Sequence, residues 1–133
     1  MNVAITYKEV SDFIEKRYRI RPTFTTIDEK TFEVSYNPGV FMPAIAVKFH
    51  IEAMSTDILC ISYDCGAAAH LMISGVVAYL EARIPSGIEV NTTEKRVNIY
   101  PKCFKQLEKA LEYVALSDIA FAENVVNIRL SMV

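Results

Sequence analysis

Between Ile45 and Tyr63, apolar residues recur at every second position, and a period of two commits this part of the chain to a sheet. Ile45, Val47, Phe49 and Ile51 alternate with Ala46, Lys48, His50 and Glu52. After a turn at Met54 to Thr56, the run DILCISYD places Leu59, Ile61 and Tyr63 on its apolar side. Successive strand side chains point to opposite faces, so this reads as a long antiparallel hairpin with one buried and one more polar face.

The segments around the hairpin extend the same reading. Phe32, Val34 and Tyr36 alternate with polar neighbours until the turn NPG at 37–39. GIEV and RVNIYP flank NTTEK as a second, shorter hairpin. Near the C-terminus, Ile119 and Phe121 alternate with alanines, and beyond AEN the residues Val126, Ile128, Leu130 and Met132 alternate again, a third hairpin. Two helices frame these strands. Thr6 with Glu9 forms a capping box, and Val10, Phe13, Ile14 and Tyr18 then share a helical face, which predicts a helix from about Tyr7 to Arg19. Pro101 opens a short helix whose apolar side is Phe104, Leu107, Ala110 and Leu111.

The stretch from Gly66 to Ile84 constrains the architecture in another way. At about 100° per residue, Met72, Ile73, Val76, Val77, Tyr79, Leu80 and Ile84 fill one arc of a helix. Ala67, Ala68, Ser74, Gly75, Ala78 and Ala82 fill the other, with Leu71 as its one large member. Crossing a bilayer takes about 20 apolar residues, and Glu81 and Arg83 cut this run short. A helix apolar nearly all round that cannot span a membrane is expected to be covered on most sides by protein. The expectation is therefore an α+β fold in one domain over 1–133, with a curved, mainly antiparallel sheet packed around a long central apolar helix and two shorter helices.

The element order resembles that of the tubular lipid-binding (BPI-like) domains over most of the chain. In those domains a bent antiparallel sheet wraps a long helix and apolar ligands lie between them. The resemblance implies a lipid-like or other apolar ligand beside the central helix. It carries no motif of functional residues. The residues themselves add an apolar loop, NPGVFMP, in which Val40, Phe41 and Met42 stand between two prolines. Together with Leu71, Gly75 and Ala78 on the small-residue arc, these are the candidate ligand-binding residues.

Catalytic chemistry finds less support. Asp64 is placed to cap the helix, and Cys65 at a helix start would feel the positive end of the helix dipole, which favours a reactive thiol. Cys65 and His70, however, stand about 140° apart around a helix axis and cannot readily share a proton. His50 sits between Lys48 and Glu52 on a polar strand face, short of the three ligands that a metal needs. No phosphate-binding loop, nucleophile elbow or paired-carboxylate signature occurs, so no catalytic residue, metal or cofactor is assigned. Lys16, Arg17, Arg19 and Arg21 surround Tyr18 at a helix C-terminus, where cations complement the helix dipole.

Composition narrows the partners. A net charge of −2 gives no global attraction to nucleic acid or to anionic lipid. The first residues, MNVAITYKEVSDF, lack the charged and apolar regions of a secretory signal. Three cysteines, an odd number, read as free thiols in a reducing compartment, hence a cytoplasmic expectation. The leading functional expectation is a non-enzymatic domain that binds an apolar small molecule. The alternative is a homodimeric protein-interaction or chaperone-like module, similar to small acidic secretion chaperones in size and pI. A thiol enzyme using Cys65 comes third.

Overall fold

The computed structural model of the chain describes residues 1–37, 39, 44–55, 57–80 and 86–133. Among them, nine strands pair antiparallel in two sheets. Strand β1 (Asn2–Thr6) leads directly into helix α1 (Tyr7–Tyr18), and β2 (Thr23–Asp28) and β3 (Thr31–Tyr36) follow. The long hairpin is β4 (Ile45–Met54) and β5 (Leu59–Cys65). Helix α2 (Ala67–Leu80) comes next, then the hairpin β6 (Ile88–Asn91) and β7 (Arg96–Ile99). A broken helical segment, with the one-turn helix α3 (Lys105–Glu108) between two 3-10 turns, precedes β8 (Val114–Ala122) and β9 (Val125–Met132).

The larger sheet has the order β2-β3-β4-β5-β7-β6 and the smaller one β1-β9-β8. Register explains the two faces of the larger sheet. Phe24, Val34, Val47 and Cys65 stand opposite one another across four strands, as do Phe32, Phe49 and Tyr63 in the next row. Thr25, Glu33, Lys48 and Asp64 form an intervening row on the other face. Aromatic rings run across the apolar face: Tyr7 to Phe24 at 5.7 Å, Phe24 to Phe32 at 6.3 Å, Phe32 to Phe49 at 5.3 Å, and Phe49 to Tyr63 at 6.2 Å.

The core lies between the two sheets. Ile51, Leu59 and Phe121 are its buried members, and Phe32, Met54, Ile61, Ile99, Ile119 and Val126 pack around them. The Phe121 ring of β8 meets Phe32 at 4.8 Å. Polar links hold the sheets in this position. The Phe121 amide donates to the Glu29 carbonyl at 2.8 Å, and Lys30 Nζ donates to Asp118 at 2.5 Å and to the Ile119 carbonyl at 2.6 Å. Thr26 Oγ1 donates to the Ala122 carbonyl at 2.6 Å and also hydrogen-bonds the Tyr7 hydroxyl.

This arrangement corrects the expected architecture. Among the described residues there is no long central apolar helix wrapped by a curved sheet. The buried cluster is a sheet-on-sheet contact, and α2 is a helix of 14 residues packed beside β4. The antiparallel, sheet-rich α+β character stands, as do the hairpins. The capping box also holds, with Thr6 Oγ1 accepting from the Glu9 amide at 3.1 Å. Sequence reading passed over β1 and the Thr-rich β2, and with them the division into two sheets.

Candidate functional site

Helix α2 is the element whose sequence and surroundings are at odds. Residues 67–80 contain no Asp, Glu, Lys or Arg. Of its described side chains, Ala69 is buried, and His70, Ile73, Ser74 and Val77 are half-buried. These positions span about 140° of the helix circumference, from Ala69 round to Ser74. The remaining arc holds Ala67, Leu71, Met72, Gly75 and Ala78, all exposed, with Leu71 74% exposed. Among the described residues, a Cβ placed on Gly75 would meet no atom within 4 Å, so the middle of this face is open to them. Among the described members of the small-residue arc, Ala67, Leu71, Gly75 and Ala78 thus lie on the outer side and meet solvent, while Ser74 is half-buried.

The start of α2 differs from the capping arrangement expected of Asp64. Strand β5 runs on through Cys65, and Asp64 is a strand residue opposite Lys48 on the polar face. Gly66 is the turning point, and its carbonyl accepts the first helical hydrogen bond, from the His70 amide at 2.9 Å. Cys65 ends β5 opposite Val47, on the apolar face of the sheet. Tyr63, two residues earlier on that face, is 5% exposed, and among the described residues neither its hydroxyl nor His70 Nδ1 has a hydrogen-bond partner. Burial raises the Tyr63 phenol's pKa, and the nearby Cys65 adds in the same direction.

The other candidate residues are dispersed. Leu71, Gly75 and Ala78 come together on the exposed arc, spaced four and three residues apart, which makes them neighbours on one helix face. Val40, Phe41 and Met42 lie outside the described residues. His50 Nδ1 is hydrogen-bonded to Thr31 Oγ1 at 2.6 Å, an engagement within the sheet. In the basic cluster after α1, Arg21 bonds Asp12 at 2.7 Å, and Arg17 lies over the Phe13 ring at 4.7 Å. Asp12 is held below the ordinary carboxylate range by its bonds to Lys8 and Arg21.

Among the described residues, concave surface away from α2 carries polar side chains. A hollow of about 550 Å³ on the outer face of the larger sheet is lined by Cys60, Glu89, Asn91, Arg96 and Asn98, among others. A smaller one of about 270 Å³ on the smaller sheet is lined by Asn2, Asp118, Asn127 and Arg129, among others. These open recesses offer hydrogen-bonding groups to water, whereas α2 offers a convex apolar surface. No described helix is long and apolar enough to cross a membrane. All three cysteines are free thiols. The chain matches no family model, no curated protein and no solved structure.

Proposed function

We propose that this protein is a non-enzymatic protein-interaction module whose docking surface is the outer arc of α2. The observation that carries this reading is the exposure of Leu71 within a 14-residue helix free of charged side chains. Contiguous exposed apolar surface is costly to keep in water, and on folded domains it marks sites of association. A ligand held between a sheet and this helix would call for Leu71, Gly75 and Ala78 to point inward. Their exposure favours docking over enclosure of a small molecule.

Site-specific photo-crosslinking tests the proposal. A benzophenone amino acid at position 71 should give discrete protein adducts in cells, competed by excess unlabelled protein, whereas the same probe at Asn127 on the smaller sheet should not. Adducts to lipid alone at position 71 would favour the apolar-ligand reading instead. Labelling at position 71 no stronger than at position 127 would sink the docking surface.

A further inference from the structure

The partner of this face can be taken one step further, on the basis of the docking reading just given. The chain exposes 9247 Å² of accessible surface. A folded monomer of 15.0 kDa exposes about 7,000 Å², so this chain carries an excess of about 2,200 Å². A standard protein–protein interface removes about 800 Å² from each partner, and permanent dimers remove more. The excess is therefore of the size that a stable oligomer covers. In agreement, no described side chain falls below 2% exposure, although 52% of the chain is hydrophobic.

The outer arc of α2 is also complementary to itself. A two-fold axis brings each element against its own copy, so a charged face would repel itself and an uncharged one would not. Leu71 lies about 6 Å along the helix before Gly75, and Ala78 lies about 4.5 Å after it. If two copies of α2 cross antiparallel at Gly75, Leu71 of each chain comes level, within about 1.5 Å along the axis, with the partner's Ala78. A large side chain then fits over a small one, twice, by symmetry. At the crossing point the absence of a Cβ on Gly75 lets the backbones approach to the short end of the usual helix separation, about 8 Å. We infer that this protein forms a homodimer in which the α2 helices cross antiparallel at Gly75, each Leu71 packing on the partner's Ala78.

Sedimentation of the full chain across a concentration series tests this. The unmodified protein should sediment as a dimer at micromolar concentration. Leu71→Glu should weaken the dimer by about 100-fold or more, since it buries an unpaired carboxylate on each side. Adding Ala78→Lys to that variant should recover at least about tenfold of the loss, because each new carboxylate then faces the partner's new ammonium. Gly75→Arg provides a variant independent of both. It removes a glycine from a helix interior, so the dimer should be lost while thermal stability matches or exceeds that of the monomeric Leu71→Glu variant. A protein that stays monomeric up to about 1 mM, the range of only millimolar affinity, would overturn self-pairing. A dimer indifferent to Leu71→Glu and Gly75→Arg would do the same. Failure of the double variant to recover would overturn the antiparallel crossing. A monomer that still gives specific protein adducts at position 71 would leave the docking surface standing with another partner, so the two readings fail separately.

Discussion

Phe121→Ala asks whether the two sheets share one core. Phe121 is 7% exposed, and its ring lies 4.8 Å from that of Phe32 on the opposite sheet. Truncating a buried phenylalanine costs about 3–5 kcal/mol, depending on how far the surroundings collapse into the space. Here the neighbours Ile119 and Val126 are only half-buried and free to relax, which puts the expected loss near the lower end, about 3 kcal/mol. Of this, about 1 kcal/mol belongs to the aromatic pair with Phe32. The amide of residue 121 keeps its bond to the Glu29 carbonyl in the variant, so the smaller sheet stays docked and the side chain alone is tested. Urea titration followed by circular dichroism reads the change. With a slope of about 1.5 kcal/mol per molar, the midpoint should fall by about 2 M. Protein concentration must be held constant, because association adds stability by mass action. The double variant Phe32→Ala/Phe121→Ala should lose about 1 kcal/mol less than the sum of the single changes. A loss under about 1 kcal/mol for Phe121→Ala would refute a core shared between the sheets.

Three further outcomes follow from local geometry. Thr6→Ala removes the cap of α1 and should cost about 1 kcal/mol in the same titration, with Thr6→Ser recovering most of it. Gly87→Ala would drive a methyl to within 2.7 Å of the Phe104 ring and 3.1 Å of the Tyr100 carbonyl, so it should lower stability by about 1–3 kcal/mol despite being conservative. Asp118 is held below its ordinary value first by its hydrogen bond to Lys30, with the Lys30 and Arg129 charges adding in the same direction. Its stabilising contribution is therefore present above the unfolded value of about 3.9 and lost as pH falls through the lower folded value. Lys30→Met should accordingly weaken the protein at pH 7 and progressively less in acid. Both partners are more than one-third exposed, which limits the difference to about 1 kcal/mol.

Much of the local structure was readable because its signals are local. The alternation of Ile45, Val47, Phe49 and Ile51 survives as β4, although its pairing with β5 carries a bulge between Ile51 and Ala53 that no alternation shows. Thr6 and Glu9 cap α1 as their spacing implies. In the run from Val114 to Ala122 the alternation of Ile119 and Phe121 marks a strand as expected, and pairing with β9 extends that strand back to Val114, where alanines and small residues suit either state. At the candidate site, the sequence identified the small-residue arc of α2 with Leu71 in it. It also suggested that this arc was covered, whereas Ala67, Leu71, Gly75 and Ala78 are exposed.

Residue periodicity, then, established by itself which sides of each element are apolar, where α1 begins, and that the strands pair as antiparallel hairpins. What covers each apolar side was decided only in three dimensions, by pairings between the ends of the chain. Strand β1 joins β9, with Asn2 opposite Arg129, and this builds a second sheet whose Phe121 closes the core over Phe32 and Ile51. Helix α2 lies beside β4, outside the contact between the two sheets, with one arc of its described side chains facing water. Hydrophobic burial is non-directional: it specifies that apolar surface should be covered and leaves the choice of cover to whichever surfaces the backbone pairing brings together.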